Sequence, residues 1–484
     1  MRIVFAASEC SPWAATGGLG EVVGELSRQV VGFGHQVAVY LPYYRQVREV
    51  APERKYAIRS VTIPFQSYSR FAAILDGGVH DGVQMYFVDC PEMFDREGYY
   101  DVPAGEYADN WERFGLYCRA VLEATKQLGV PDVFHVHDWQ ASLLPVYLKT
   151  LYAGDPVLRK CATVLTIHNA GYQGQYSPQT TEKLLFPWDI FTMERLEHYD
   201  KFNFLKGGVV YADLLTTVSP RYAEEIQTPE YGERLEGVLR RRSADLVGIL
   251  NGVDYAQWNP ATDGNIAAHY SAENLAGKAE CRRDLLHAFG AGTVSESTAV
   301  LGMVTRLATQ KGIDLLEQIT EPLLQENVVL IAVANGEAYY ENLLRSLAAH
   351  YRGRVMVKIA YDEMLAHKVE AGADMFLMPS RYEPCGLNQF YSLKYGTVPV
   401  VRATGGLDNT VEEWNPQSRT GTGFKFQGYR PEDFLAAIRR ALPVFEDKDA
   451  WHALMRNGMA QDYSWGRPAA QYEAEYERVA RNKS

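Results

Sequence analysis

The pentapeptide Ala-Thr-Gly-Gly-Leu occurs twice in this chain, at residues 15–19 and again at 403–407. Each copy follows a short apolar run that suits a buried strand, residues 3–7 in one case and 398–401 in the other. A glycine-rich turn between a strand and a helix sets backbone N–H groups against a small anion. Two such turns so far apart point to two α/β lobes that close on one anionic ligand. Just before the second copy, residues 380–387 read Ser-Arg-Tyr-Glu-Pro-Cys-Gly-Leu, and a helix-compatible run follows from 388 to 395. Glu383 therefore stands beside a helix N-terminus, where unpaired N–H groups and the helix dipole favour a phosphate.

Strand and helix signals alternate on both sides of these turns. After the strand at 3–7, the glycines at 17, 18 and 20 read as a loop. Leu19, Val22, Val23, Leu26, Val30 and Val31 then recur at helical spacing, Gly32 and Gly34 stop that helix, and residues 37–41 form the next strand. Further strands are predicted at 84–88, 133–136, 163–167, 214–218 and 246–250. A second series follows Asn251-Gly252-Val253-Asp254, at 300–304, 328–333, 355–359, 375–378 and 398–401. This pattern predicts an α/β chain of two doubly wound, mainly parallel domains with a boundary near 250–262. Ligands bind at the carboxyl ends of parallel strands, so the motifs that follow these strands are expected to converge on a cleft between the lobes.

Composition narrows the ligand. At 484 residues the chain exceeds what one hydrophobic core organises. A net charge of −12 leaves no basic excess for nucleic acid, so any phosphate it holds is a small one, such as that of a nucleotide-sugar. No run approaches the ~18 apolar residues of a membrane helix. The apolar start is too short for a signal-peptide core. The six cysteines are scattered without a C-x-x-C pair or metal spacing, so free thiols and a cytoplasmic location are expected.

Several motifs carry possible chemistry. Thr16, Gly17 and Gly18 read either as a plain strand-to-helix connection or as an anion turn. Arg306 and Lys311 place two cations at a strand end and a helix start, suited to a diphosphate or, equally, to a solvated helix cap. His137-Asp138-Trp139 and His168-Asn169 each follow an apolar strand. His135 reads as a packed core histidine, whereas Asp138 and His168 suit contact with sugar hydroxyls. Cys385, at the helix start, reads as either a reactive thiol or a buried inert one.

Taken together these strings resemble the bacterial glycogen synthase and plant starch synthase family. The resemblance runs from Ser8-Glu9 and Thr16-Gly17-Gly18-Leu19 through residues 137–139, 168–174, 250–254, 306, 310–312 and 380–387 to Ala460-Gln461-Asp462-Tyr463-Ser464-Trp465. It implies two Rossmann-like domains facing a deep cleft (GT-B type), here placed at 1–258 and 259–460, with a C-terminal helix at 461–484 crossing back to the first. It also implies a retaining transfer of glucose from a nucleotide-sugar donor, usually ADP-glucose, to an α-1,4-glucan acceptor, with no cofactor and no metal. By resemblance, Arg306 and Lys311 bind the donor diphosphate, and amides near Gly18, Gly386 and Leu387 add to that anion site. Glu383 holds donor glucose hydroxyls, Tyr361 packs on adenine, and Asp138, His168 and Asn251 line the sugar side. Thr16, Gly17, Trp139, Asn169, Cys385, Thr404 and Gly405 complete the expected substrate contacts.

Asn409, the 333–337 loop and one position beside the donor depart from the family. Where its members carry lysine before Thr-Gly-Gly-Leu, this chain has Ala15. The alternatives are a related retaining transferase using UDP-glucose or another acceptor, and a glucan-binding protein without activity. The first would share Arg306, Lys311 and Glu383 but not the 380–387 string in this form.

Overall fold

Arg2–Ala6 (β1) is fully apolar at its inner positions and lies at the centre of a nine-stranded sheet. In this computed structural model, which describes residues 1–51, 54–102 and 105–483, contacts divide the chain into two units. The first holds residues 1–252 and the chain from Trp465 onward, and the second holds Val253–Ser464. The first unit ends at Gly252, ahead of residue 258, because Val253 bridges to Ser464 and donates to Tyr463 O, while Tyr463 N–H donates to the Tyr255 hydroxyl.

In the first unit β1 leads through α1 (Gly18–Gly32) to β2 (Gln36–Pro42). A hairpin of β3 (Lys55–Pro64) and β4 (Ser69–His80) follows, then β5 (Val83–Asp89) and α2 (Asn110–Leu128). β6 (Val133–His137), β7 (Ala162–Ile167), α3 (Phe204–Tyr211), β8 (Leu214–Thr217) and β9 (Leu246–Gly248) complete the sheet half. The strand order is β9-β8-β7-β6-β1-β2-β5-β4-β3. All pairs are parallel except β3–β4 and β4–β5. The sequence pattern had not marked the β3–β4 hairpin. Register shifts between Tyr56 and Ile58 and between Ile58 and Val61 break its alternation, and one face stays wet. Gly18 and Gly20, expected in a loop, belong to α1. A Cβ at Gly20 would stand 2.6 Å from that of Ala15, so glycine lets the first helical turn press onto the preceding chain.

The second unit has six parallel strands: β10 (Ala299–Leu307), β11 (Val328–Gly336), β12 (Val355–Ile359), β13 (Met375–Met378), β14 (Val398–Arg402) and β15 (Phe424–Phe426). They are ordered β12-β11-β10-β13-β14-β15. Alternate residues feed two cores: Leu301, Leu330, Leu377 and Val400 on one face, Val300, Val329, Phe376 and Val401 on the other. A sheet buried on both faces reads as continuous apolar runs, which is why these strands were visible in the sequence. Its site-forming helices are α4 (Ile313–Leu323), α5 (Glu363–Gly372), α6 (Asn388–Lys394) and α7 (Gly405–Thr410). The last helix, α8 (Gly466–Arg481), returns to the first unit and packs on α1, β6 and β7. There the Tyr476 hydroxyl meets His135 Nδ1 at 2.7 Å.

Candidate active site

In the second unit the carboxyl ends of β10 and β13 gather the expected charges. Arg306 is exposed near the end of β10, in register with Asn335 of β11. Lys311 closes a single 3-10 turn whose next residue, Gly312, has φ +73°. A Cβ there would fall 2.0 Å from Pro379 O, so only glycine lets this turn lie against the loop after β13. Arg381 N–H donates to Gln310 O at 2.8 Å and Gln310 Nε2 donates to Tyr382 O at 3.1 Å, tying the two segments together.

The result is a buried, paired carboxylate. Glu383 Oε2 accepts from Lys311 Nζ at 2.7 Å and from Ser380 Oγ at 2.9 Å. Glu383 is only 5% exposed, whereas the Lys311 side chain keeps 22% of its surface open. Gly386 (φ +73°) and Leu387 lead into α6, which Asn388 fastens to β10 by donating to Val304 O at 2.7 Å. The first N–H groups of α6 have no partner within the helix. Tyr361 follows β12 and is 86% exposed.

Thr404 and Gly405, expected at the substrate, are both buried, and Gly405 packs against the Glu383 loop. A Cβ on Gly405 would stand 1.9 Å from Glu383 O, and one on Gly406 2.1 Å from Cys385 O. Gly406 N–H donates to the carbonyls of Glu383 and Pro384, both at 3.2 Å. Cys385 is buried too, the inert alternative for its thiol.

The first unit builds its own polar edge. Thr16 and Gly17 form an exposed turn ahead of Gly18, the first residue of α1, and a Cβ at Gly17 would meet nothing within 4 Å. Glu9, which sequence reasoning assigned no role, holds this turn: its carboxylate accepts from Thr16 N–H at 2.6 Å, Thr16 Oγ1 at 2.9 Å and the Tyr100 hydroxyl at 2.7 Å. The signal for it was an acidic residue placed directly after a buried strand.

At the end of β6, Asp138 takes the left-handed conformation (φ +53°) and its Oδ1 accepts from His168 N–H at 2.7 Å. His168 Nε2 lies 3.0 Å from His137 Nδ1. Asn169 Oδ1 accepts from Gly171 N–H at 2.9 Å, shaping the loop that follows β7. Asn251, just after β9, is buried with its Oδ1 unpartnered among the described residues. His135 is a core residue as expected, bonded to Tyr476 and, at 2.6 Å, to Thr166 Oγ1. Trp139, expected at the substrate, is packed inward. Its indole is 5% exposed, with Phe114 at 4.9 Å and Gly174 so close that a Cβ would fall 2.4 Å away.

Burial raises Asp138 from 3.8 to about 7, opposed by the N–H groups of His168 and Asn169 and reinforced by the Glu9 charge. The folded protein thus holds this proton more tightly than the unfolded chain does. Stability contributed by Asp138 is fully present below about pH 4 and is lost as pH climbs to about 7. Asp138→Asn, which suits φ > 0, is expected to remove that slope and to exceed the native protein above pH 7 by on the order of 2–4 kcal/mol. Urea midpoints at pH 5 and pH 8 for both proteins check this; parallel shifts in the two would refute it.

Comparison with known proteins agrees with this layout. Residues 2–241 match the family described as starch synthase catalytic domain, and 289–454 match glycosyl transferases group 1. A glycogen synthase of Koribacter versatilis is 55% identical over 479 residues, covering 99% of this chain and 98% of that one. One from Thermotoga maritima is 43% identical over 489 residues, with 99% of each chain covered. The solved catalytic domain of starch synthase IV from Arabidopsis thaliana, bound to ADP and acarbose, superposes with a TM-score of 0.89 at 30% identity over 99% of both chains. Sucrose-phosphate synthase from Thermosynechococcus elongatus, at 15% identity and a TM-score of 0.61, shares the fold alone.

Proposed function

We propose, from the premise that this chain belongs to the glycogen and starch synthase family of glycosyltransferases, that it extends an α-1,4-glucan by one glucose taken from ADP-glucose, with retention at the anomeric carbon. The observation that carries this reading is the Lys311–Glu383–Ser380 cluster at the carboxyl edge of the second sheet. A cation and a carboxylate locked side by side suit a diphosphate next to a hydroxylated ring.

In this reading Arg306 and Lys311 bind the donor diphosphate and offset the charge that grows on it as the bond to the anomeric carbon breaks. N–H groups at Gly386 and Leu387 add to the anion site. Glu383 orients glucose hydroxyls, and Tyr361 stacks on adenine. Thr16, Gly17, Asp138, His168, Asn169 and Asn251 serve the sugar side. The acceptor hydroxyl attacks the anomeric carbon on the face the phosphate leaves, and its proton passes to a departing phosphate oxygen. The positive charge already supplied by side chains makes the reaction independent of divalent metal. Six buried, reduced cysteines suit a cytoplasmic setting.

The test is glucose incorporation into glycogen by the purified chain from ADP-glucose and UDP-glucose in parallel, with and without EDTA. EDTA-insensitive transfer from ADP-glucose is expected. Transfer from UDP-glucose alone would overturn the donor assignment, and no transfer from either would overturn the activity. Ala15 is exposed beside the Gly17 turn and lacks the charge of the family's lysine there. Ala15→Lys is expected to lower the KM for donor and leave that for acceptor unchanged, since one charge-assisted contact is worth about 1.5–3 kcal/mol. An unchanged donor KM would refute this.

A further inference from the structure

Three histidines meet at the ends of β6 and β7, and their hydrogen bonds are unequal. Burial pushes all three below the ordinary imidazole range, His168 to about 3, so each is neutral near pH 7 and carries one ring proton. His135 finds a partner for both nitrogens. His137 does not. Its Nδ1 faces His168 Nε2 at 3.0 Å, while its Nε2 is buried with no partner among the described residues.

Two proton arrangements satisfy the His137–His168 contact. In one, His168 Nε2–H donates to His137 Nδ1, which moves the proton of His137 to Nε2 and buries an N–H without an acceptor. In the other, His137 Nδ1–H donates to His168 Nε2, and the orphan on His137 is only a lone pair. Orphaned buried N–H groups are the rarer and costlier defect. The second arrangement therefore prevails, and it leaves the proton of His168 on Nδ1, the one polar atom of that ring not engaged by His137. The His137 ring is held in plane by His135, 4.1 Å away, and by Phe5, 5.8 Å away and nearly parallel.

We propose that His137 is a positioning residue that locks His168 in its Nδ1–H form, so that His168 offers the sugar a hydrogen-bond donor and not a base. The inference rests on the placement of His168 on the sugar side given above. It extends that reading by assigning the direction of the bond: a hydroxyl oxygen of the substrate accepts from His168 throughout turnover. A neutral donor that needs no proton loss keeps its function across the neutral pH range.

The test combines a spectrum and a pair of variants. In the full chain labelled with ¹⁵N-histidine, the His168 signals, identified by their loss in His168→Gln, are expected to show a protonated Nδ1 and a bare Nε2. His137→Asn keeps an N–H near the position of Nδ1 and is expected to retain most activity and the same His168 tautomer. His137→Phe is expected to lower kcat about 100-fold, with the KM for donor little changed, and to scramble the tautomer. A His168 proton on Nε2 in the native protein would overturn the proposal even if glucose transfer is robust. Equal losses in His137→Asn and His137→Phe would overturn it too, and the spectrum of the native protein is readable whether or not either variant folds. Failure of glucose transfer with an Nδ1–H tautomer would instead count against the functional reading alone.

Discussion

Gly405→Ala is expected to abolish glucose transfer and to cost about 2–5 kcal/mol of stability, whereas Gly17→Ala is expected to unfold at the native midpoint. The two glycines occupy the same place in the repeated pentapeptide, so a role shared by the motif itself predicts equal effects. The structure predicts opposite ones. Gly17 is extended (φ 177°) with nothing within 4 Å of a Cβ. Gly405 has φ +45° and presses on the Glu383 carbonyl, so an added methyl meets a left-handed penalty of about 1–2 kcal/mol and an overpacking penalty of about 1–3 kcal/mol. Relief requires the Glu383 loop to move, and with it the carboxylate. Thermal and urea unfolding beside glucose incorporation separate the cases. A Gly405→Ala protein with native stability would show that the Glu383 loop yields without cost.

Lys311→Met is expected to lower kcat/KM for donor by on the order of 10²–10³ and to destabilise the protein by about 2–3 kcal/mol. Both effects arise from one ion pair. The kinetic loss follows from removing a cation aimed at the departing diphosphate. The stability loss follows from leaving Glu383, 5% exposed, with Ser380 alone as its side-chain partner among the described residues. The figure is held below that of a fully buried pair because Lys311 is partly open to water. The double variant Lys311→Met/Glu383→Gln separates the two: it is expected to regain stability, because no charge is stranded, and to regain no activity. Recovered activity in the double variant would place the diphosphate charge elsewhere.

Much of this architecture was legible because parallel strands buried on both faces leave unbroken apolar runs. Those of the second unit, such as 355–359 and 375–378, appear with the expected bounds. The antiparallel hairpin at β3 and β4 was hidden by its bulges and its wet face. At the site, Arg306, Lys311 and Glu383 were legible as charges following strands. What sequence could not convey was which side of a motif faces a ligand. Trp139, Thr404 and Gly405 stand in the right strings yet are turned inward, since burial is set by neighbours distant in the chain, such as Phe114 for the indole and Glu383 for Gly405. Glu9 was passed over for the complementary reason, its partners Thr16 and Tyr100 being joined to it only by folding.

The return of α8 to the first unit has a consequence for biosynthesis. The core around His135 needs Tyr472 and Tyr476, near the end of the chain. The second unit, closed by Ser464, has all its residues before then. As the chain leaves the ribosome, the half made first is therefore the half completed last, and the face of the emerging β6–β7 pair that α8 covers waits through the whole translation of its neighbour. A stop codon that removes only the last turns of α8 would thus damage the fold at its beginning, not at its end.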